Sequence, residues 1–219
     1  VSRRIVAITA GLSQPSSTRL LTDRIVASVQ RQAGDGVEVQ VIEVRDLATD
    51  ITSHLLTGFP SQRLGAALDA VASADALIAV TPVFTASYSG LFKSFVDLID
   101  KEALHEVPVL IAATAGTSRH SLVTEYALRP LFSYLRAQVL PTAVFAAADD
   151  FADDALARRI DRAAAELARA LAVEAPRARV NSWSVDTGPA IADVPGAPAS
   201  TPYDAVPDFR ALLGEQIAQ

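Results

Sequence analysis

Apolar positions along this chain fall into short unbroken runs separated by stretches of helical period. Residues 5–8, Ile-Val-Ala-Ile, form a β-branched apolar run of the kind that suits a buried strand. A polar stretch over 11–17 follows. Residues 18–32 then read as a helix with Leu21, Ile25, Ala27 and Val29 on one face, and Gly34-Asp35-Gly36 stops it. Residues 37–44 alternate as a second strand at or next to an edge. Residues 45–60 show no clear period and are expected to be loop. A helix over 61–73 carries Leu64, Ala67, Leu68 and Val71 at i, i+3, i+4, i+7 spacing. Strands are predicted over 75–80, 107–113 and 139–147, with helices over 88–100, 121–136 and 153–173 between and after them.

Strands alternating with helices imply a parallel sheet covered on both faces. The number and order of elements predict an α/β fold with a five-stranded, doubly wound sheet of the flavodoxin-like order 2-1-3-4-5. That domain is expected to occupy residues 1–175. Residues 176–219 change composition, becoming rich in Pro and Ala with little period, and read as a C-terminal extension. Within it, Phe209-Arg-Ala-Leu-Leu has the makings of a short docking helix. No internal repeat is present.

Composition narrows the chemistry. A net charge of −6 argues against a nucleic-acid binder, which needs a basic face for phosphates. With no cysteine, disulfides, thiolate metal sites and cysteine nucleophiles are excluded, and the three histidines are not spaced as a metal pair. No apolar run approaches the length of a membrane span, and the first residues suit a strand better than a signal peptide, so a cytoplasmic protein is expected.

In an open α/β sheet, ligands sit beyond the carboxyl ends of the strands near the switch in strand order, which selects three loops. The first, Gly11-Leu12-Ser13-Gln14-Pro15-Ser16-Ser17-Thr18-Arg19, opens a helix and is crowded with hydroxyls. Backbone amides and the positive dipole end of that helix favour a phosphate, to which Ser13, Gln14, Ser16, Ser17 and Thr18 add neutral donors. The same residues also suit a plain N-cap and serine-rich turn. The second loop runs from Thr81 through Pro82, Val83 and Phe84 to Tyr88, Ser89 and Gly90. Pro82 stiffens the strand exit and removes a donor where a flat ring would lie, while Phe84 and Tyr88 are equally at home in a core or at a helix start. The third, Thr114-Ala115-Gly116-Thr117-Ser118-Arg119-His120, combines small residues with a glycine that allows close approach or positive φ. His120 reads either as a nicotinamide or phosphate contact or as a surface residue.

Thr81-Pro-Val-Phe-Thr-Ala-Ser-Tyr-Ser-Gly-Leu-Phe-Lys93 resembles the TPVY-x-x-x-(Y/F)-S-G-x-(L/F)-K segment of NAD(P)H-dependent FMN reductases. Residues 114–138 are similar to the corresponding stretch of the alkanesulfonate-type, two-component members, and the likeness covers about residues 3–150. It implies FMN at the three loops, with the ring against Pro82, Val83, Phe84, Tyr88, Thr114, Ala115, Gly116 and Thr117, and NADPH or NADH as reductant. It also implies a homodimer or homotetramer, and a separate flavin-dependent monooxygenase that takes up the reduced flavin. Tyr126, in Glu-Tyr-Ala-Leu-Arg-Pro130, resembles the tyrosine that marks a widened helical turn in that group, and Pro130 fits local irregularity there. The family's first loop usually reads GSxR. Here the arginine is missing, and Arg19 is the candidate replacement.

Hydride transfer between two cofactors needs no protein acid or base, so no catalytic residue of that kind is named and no metal is expected. Three other readings share the fold: a quinone or azo reductase with tightly held FMN, a flavodoxin-type electron carrier, and a non-catalytic module. The ring loops offer only Phe84 and Tyr88 as aromatics, whereas carriers usually sandwich the ring, and Trp183 lies in the extension. Arg19 and Arg119 are each placed to receive a 2′-phosphate or to be solvated surface.

Overall fold

In the computed structural model, residues 2–173 are described. The expected extension over 176–219, with Trp183 and Phe209, lies outside the described residues. The sheet is parallel in its main path. Strands β1 (Arg3–Thr9), β2 (Val37–Glu43), β3 (Ala76–Phe84), β5 (Pro108–Ala115) and β6 (Gln138–Val139) lie in the order β2-β1-β3-β5-β6. This is the flavodoxin-like order with its switch point between β1 and β3.

The strand count differs from the expected five: among the described residues the sheet has seven. The predicted fifth strand over 139–147 is two pieces, β6 and β7 (Val144–Ala147), which pair with the start and end of β5 respectively. Pro141 lies in the gap, and a proline has no N–H to give the ladder. The seventh strand, β4 (Ser87–Tyr88), turns back antiparallel on β3, pairing Val83 with Tyr88 and Phe84 with Ser87.

Strand alternation divides the core. Ile5, Ala7, Ile78 and Val80 face helices α1 (Ser17–Ala33) and α6 (Asp154–Val173), meeting Leu21, Ile25, Ile160 and Leu167. Val6, Ile8, Leu77 and Ala79 face the opposite layer, where α3 (Gln62–Ala72) and α4 (Gly90–Val96) contribute Leu64, Leu68, Phe92 and Phe95. Burial on both faces explains why β1, β3 and β5 read as continuous apolar runs.

Three local expectations are corrected. Residues 45–60 are not loop: a 3₁₀ turn over Val44–Leu47 leads into α2 (Ala48–Thr57), which ends on Gly58 at φ 78°. Within α2 only Ile51 and His54 are buried, while Leu55 and Leu56 are exposed, so its hydrophobic period is masked. The predicted helix over 88–100 is shorter, because Tyr88 belongs to β4 and Ser89 caps α4 by accepting from Phe92 N at 3.1 Å. The predicted helix over 121–136 divides into a π-helix over Thr124–Leu128 and α5 (Arg129–Tyr134). Among the described residues, no helix is long and apolar enough to cross a membrane.

The β3–β4 hairpin turns through Thr85 at φ 49° and Ala86 at φ 66°, both left-handed without being glycine. Each such residue costs about 1–2 kcal/mol. Ala86→Gly removes that strain and returns about 0.4–1 kcal/mol to the unfolded chain as entropy. A net gain of about 0.5–1 kcal/mol is expected, read as a higher urea midpoint at unchanged m-value.

Candidate active site at the carboxyl end of the sheet

A cavity of about 320 Å³ opens where β1, β3 and β5 end, within the size range of small-molecule sites. The β1–α1 loop supplies Gly11, Leu12, Ser13, Ser17 and Thr18 to its wall. Pro82, Val83 and Phe84 come from β3, Thr114, Ala115 and Gly116 from the end of β5, and Ala148 from beyond β7. Thus the structure brings together nine residues expected from the sequence: Ser13, Ser17, Thr18, Pro82, Val83, Phe84, Thr114, Ala115 and Gly116.

The first loop owes its shape to the helix it starts. Ser16 is the N-cap of α1, its Oγ accepting from Arg19 N at 3.2 Å, so its hydroxyl faces the helix end rather than the cavity. Thr18 is buried and shares a 2.8 Å hydroxyl–hydroxyl bond with Thr114, tying the first loop to the third. Among the described residues no acidic side chain lines the cavity, and the start of α1 contributes uncharged hydroxyls to its wall. That donor set suits a phosphate. Gly116 has an ordinary φ, and among the described residues a Cβ built on it would meet nothing within 4 Å. Its glycine leaves room in the third loop rather than serving a left-handed turn.

Other expected residues stand elsewhere. Tyr88 is half-buried in β4, its ring 6.2 Å from Phe92, and it pairs with Val83 across the hairpin. Thr117 is exposed at the start of the 3₁₀ turn Ser118–His120 and makes no side-chain cap. Arg19 does not line the cavity. Its Nε donates to Asp23 at 2.8 Å and its Nη1 to Glu43, and the bond to Asp23 above all holds its pKa above the ordinary arginine value.

A match to a family model, the NADPH-dependent FMN reductases, spans residues 3–152 and takes in all three loops. The chain belongs to this family. An FMN reductase (NADPH) of Pseudomonas aeruginosa is 41% identical over 148 residues, which are 68% of this chain and 78% of that one. An NADH-dependent FMN reductase, SfnE, of Pseudomonas putida is 41% identical over 169 residues, covering 75% and 89% of the two chains. Among solved structures, an oxidoreductase from Corynebacterium diphtheriae superposes with a TM-score of 0.77 at 45% identity, covering 80% of this chain and 99% of that one.

Family membership gives the π-helix over Thr124–Leu128 its context, since Tyr126 lies within the widened turn expected around it. Pro130 explains the widening locally. It cannot donate to Tyr126 O, and its ring would press on that carbonyl in a regular helix. Arg129 N reaches instead to Thr124 O, one residue further back than in an α-helix. The Arg129 guanidinium forks onto Glu125 at 2.6 and 2.9 Å and donates to Leu140 O at 2.9 Å, fastening the π turn to the β6–β7 gap. That bond holds the Glu125 carboxyl below its ordinary range.

Three residues of the site were not read from the sequence as ligands: Gly11, Leu12 and Ala148. A fourth, Arg45, lies outside the lining but holds it. Its Nη1 donates to Leu12 O at 3.2 Å, and the Gln14 amide oxygen, turned to satisfy its neighbours, accepts from Nη1 at 3.3 Å and Nη2 at 3.2 Å. Nothing local marks a residue 33 positions from its partner. Arg45→Ala frees the loop and is expected to weaken FMN binding about fivefold or more, at roughly 1–2 kcal/mol for charge-assisted bonds. Riboflavin, without the phosphate, should lose much less; flavin fluorescence titration measures both.

Proposed function

We propose that this protein is an NAD(P)H-dependent FMN reductase in which FMN occupies the cavity at the ends of β1, β3 and β5. The observation that carries this reading is the pairing of a hydroxyl-lined helix start with a wall of small residues and proline, at the switch point of the sheet, in a chain of this family. Bound together, nicotinamide and flavin supply hydride transfer from C4 to N5.

The chain's own work is binding and orientation. The amide end of α1 with Ser13, Ser17 and Thr18 holds the phosphate, while Gln14 and Ser16 keep the loop in shape. Pro82, Val83, Phe84, Thr114, Ala115 and Gly116 bound the ring, with Tyr88 and Thr117 supporting them. Leu12 and Phe84, 50% and 46% exposed, flank the mouth and shed water when it fills. This reading extends to a cytoplasmic homodimer or homotetramer that delivers reduced FMN to a flavin-dependent monooxygenase, with residues 176–219 as an extension beyond the reductase domain. Exposed Leu122 and Tyr126 on and beside the π turn support a subunit contact.

Steady-state oxidation of NADPH and of NADH, with and without excess free FMN, tests the proposal. Turnover that rises and saturates with FMN is expected. Bound flavin without turnover of either nicotinamide would instead mark an electron carrier, and turnover on stoichiometric FMN with a quinone acceptor a quinone reductase.

A further inference from the structure

Three arginines belong to or hold the loops that line the cavity: Arg19 next to Thr18, Arg45 bonded to Leu12 O, and Arg119 three residues beyond Gly116. Two are already committed. Arg19 is shared between Asp23 and Glu43, and Arg45 is divided among Leu12 O, Gln14 and Asp46, the last at 3.5 Å. Arg119 is exposed on the 3₁₀ turn Ser118–His120, and among the described residues its side chain makes no ion pair or hydrogen bond. In a chain of net charge −6, it is the guanidinium at this rim that receives an anion without first giving up a carboxylate.

The size of the cavity says which anion. At about 320 Å³ the cavity stands at the low end of the range for small-molecule sites. A nicotinamide stacked on the ring therefore leaves its adenylate half outside, across the rim. NADPH and NADH differ there by one 2′-phosphate, a dianion that a planar guanidinium grips through two N–H groups. Ser118 and His120 flank Arg119 in the same 3₁₀ turn, Ser118 exposed and His120 half-buried.

Resting on the FMN reductase reading, we infer that Arg119 receives the 2′-phosphate of NADPH and sets a preference for NADPH over NADH. Its role is specificity, since it stands apart from the reacting ring atoms.

The test measures kcat/KM for NADPH and NADH at saturating FMN in the wild type, R119A and R119K, and titrates 2′,5′-ADP and 5′-AMP by calorimetry. The wild type is expected to prefer NADPH. In R119A the ratio of the two kcat/KM values should fall about tenfold or more, through KM for NADPH, the scale of one charge-assisted contact. R119K should recover part of it. The advantage of 2′,5′-ADP over 5′-AMP should shrink in parallel and weaken with added salt. A wild type that prefers NADH, an unchanged ratio in R119A, or equal losses for both nucleotides would overturn the inference. If the wild type oxidises neither nucleotide with FMN, the reductase reading fails, while the calorimetric comparison still decides whether Arg119 holds a 2′-phosphate.

Discussion

Gly11→Ala is expected to raise the KM for FMN tenfold or more and to lower stability by about 1–2 kcal/mol, the scale of a lost helix cap with local strain. A Cβ on Gly11 would stand 2.0 Å from Ser16 Oγ and 3.1 Å from both Ser16 Cβ and Thr18 Cβ. Rotating the Ser16 hydroxyl away relieves the first contact only by abandoning Arg19 N, the bond that caps α1. The other two contacts involve carbons fixed to the backbone. Thr18 has no freedom to retreat, being bonded to Thr114 at 2.8 Å while its carbonyl accepts from Thr22 Oγ1 at 2.8 Å. The loop must therefore lift off the helix start, spreading the amides and hydroxyls proposed to hold the phosphate. Glycine caps a helix nearly as well as serine, so Gly11→Ala/Ser16→Gly removes the worst contacts at little cost in capping. The double variant should recover most of the lost stability and part of the FMN affinity. Urea denaturation and the FMN dependence of NAD(P)H oxidation read the two effects separately. A Gly11→Ala protein indistinguishable from wild type in both would show that the loop does not need this close approach.

The elements that hold the site were legible where burial is complete. Ile5 to Ile8, Ala76 to Val80 and Val109 to Ala113 are buried on both faces, so each announces itself as an apolar run, and the rule for open sheets then points to the loops that follow. What escaped the sequence was set by partners distant in the chain or by compact turns. The β4 strand has two residues and exists because Thr85 and Ala86 accept left-handed backbone. Tyr88 accordingly reads as a helix start from its neighbours, although pairing with Val83 places it in the sheet. Helix α2 buries too few side chains to show a period. Ser16 and Gln14 carry the chemistry of ligands yet serve the loop itself, one as a cap and the other as the acceptor for Arg45. Hydroxyl-rich composition marks a place where donors are needed; it does not say which of them the fold spends on its own backbone.

Phe92→Ala is expected to be among the most destabilising single changes, because Phe92 joins the hairpin proposed to bound the ring to the layer that carries α5. Its side chain is fully buried, with its ring 6.2 Å from Tyr88 and 6.3 Å, edge to face, from Phe132. Truncating a buried phenylalanine costs about 3–5 kcal/mol, a large share of the roughly 5–15 kcal/mol that holds a domain. At about 2–4 °C per kcal/mol for a domain of this size, Tm should fall by about 10 °C. Phe132→Ala alone should cost a similar amount, and a double-mutant cycle should return a coupling of about 0.5–1.5 kcal/mol for the aromatic pair. The site should feel the loss as well. Tyr88 pairs with Val83 and has its ring 6.2 Å from that of Phe92, so a cavity there is expected to loosen the wall formed by Val83 and Phe84. Phe92→Leu, which refills much of the volume, should restore both stability and FMN affinity, each assayed well below its own Tm. Stability lost with FMN affinity intact would mean that the hairpin is held by its own ladder, independently of the core below it.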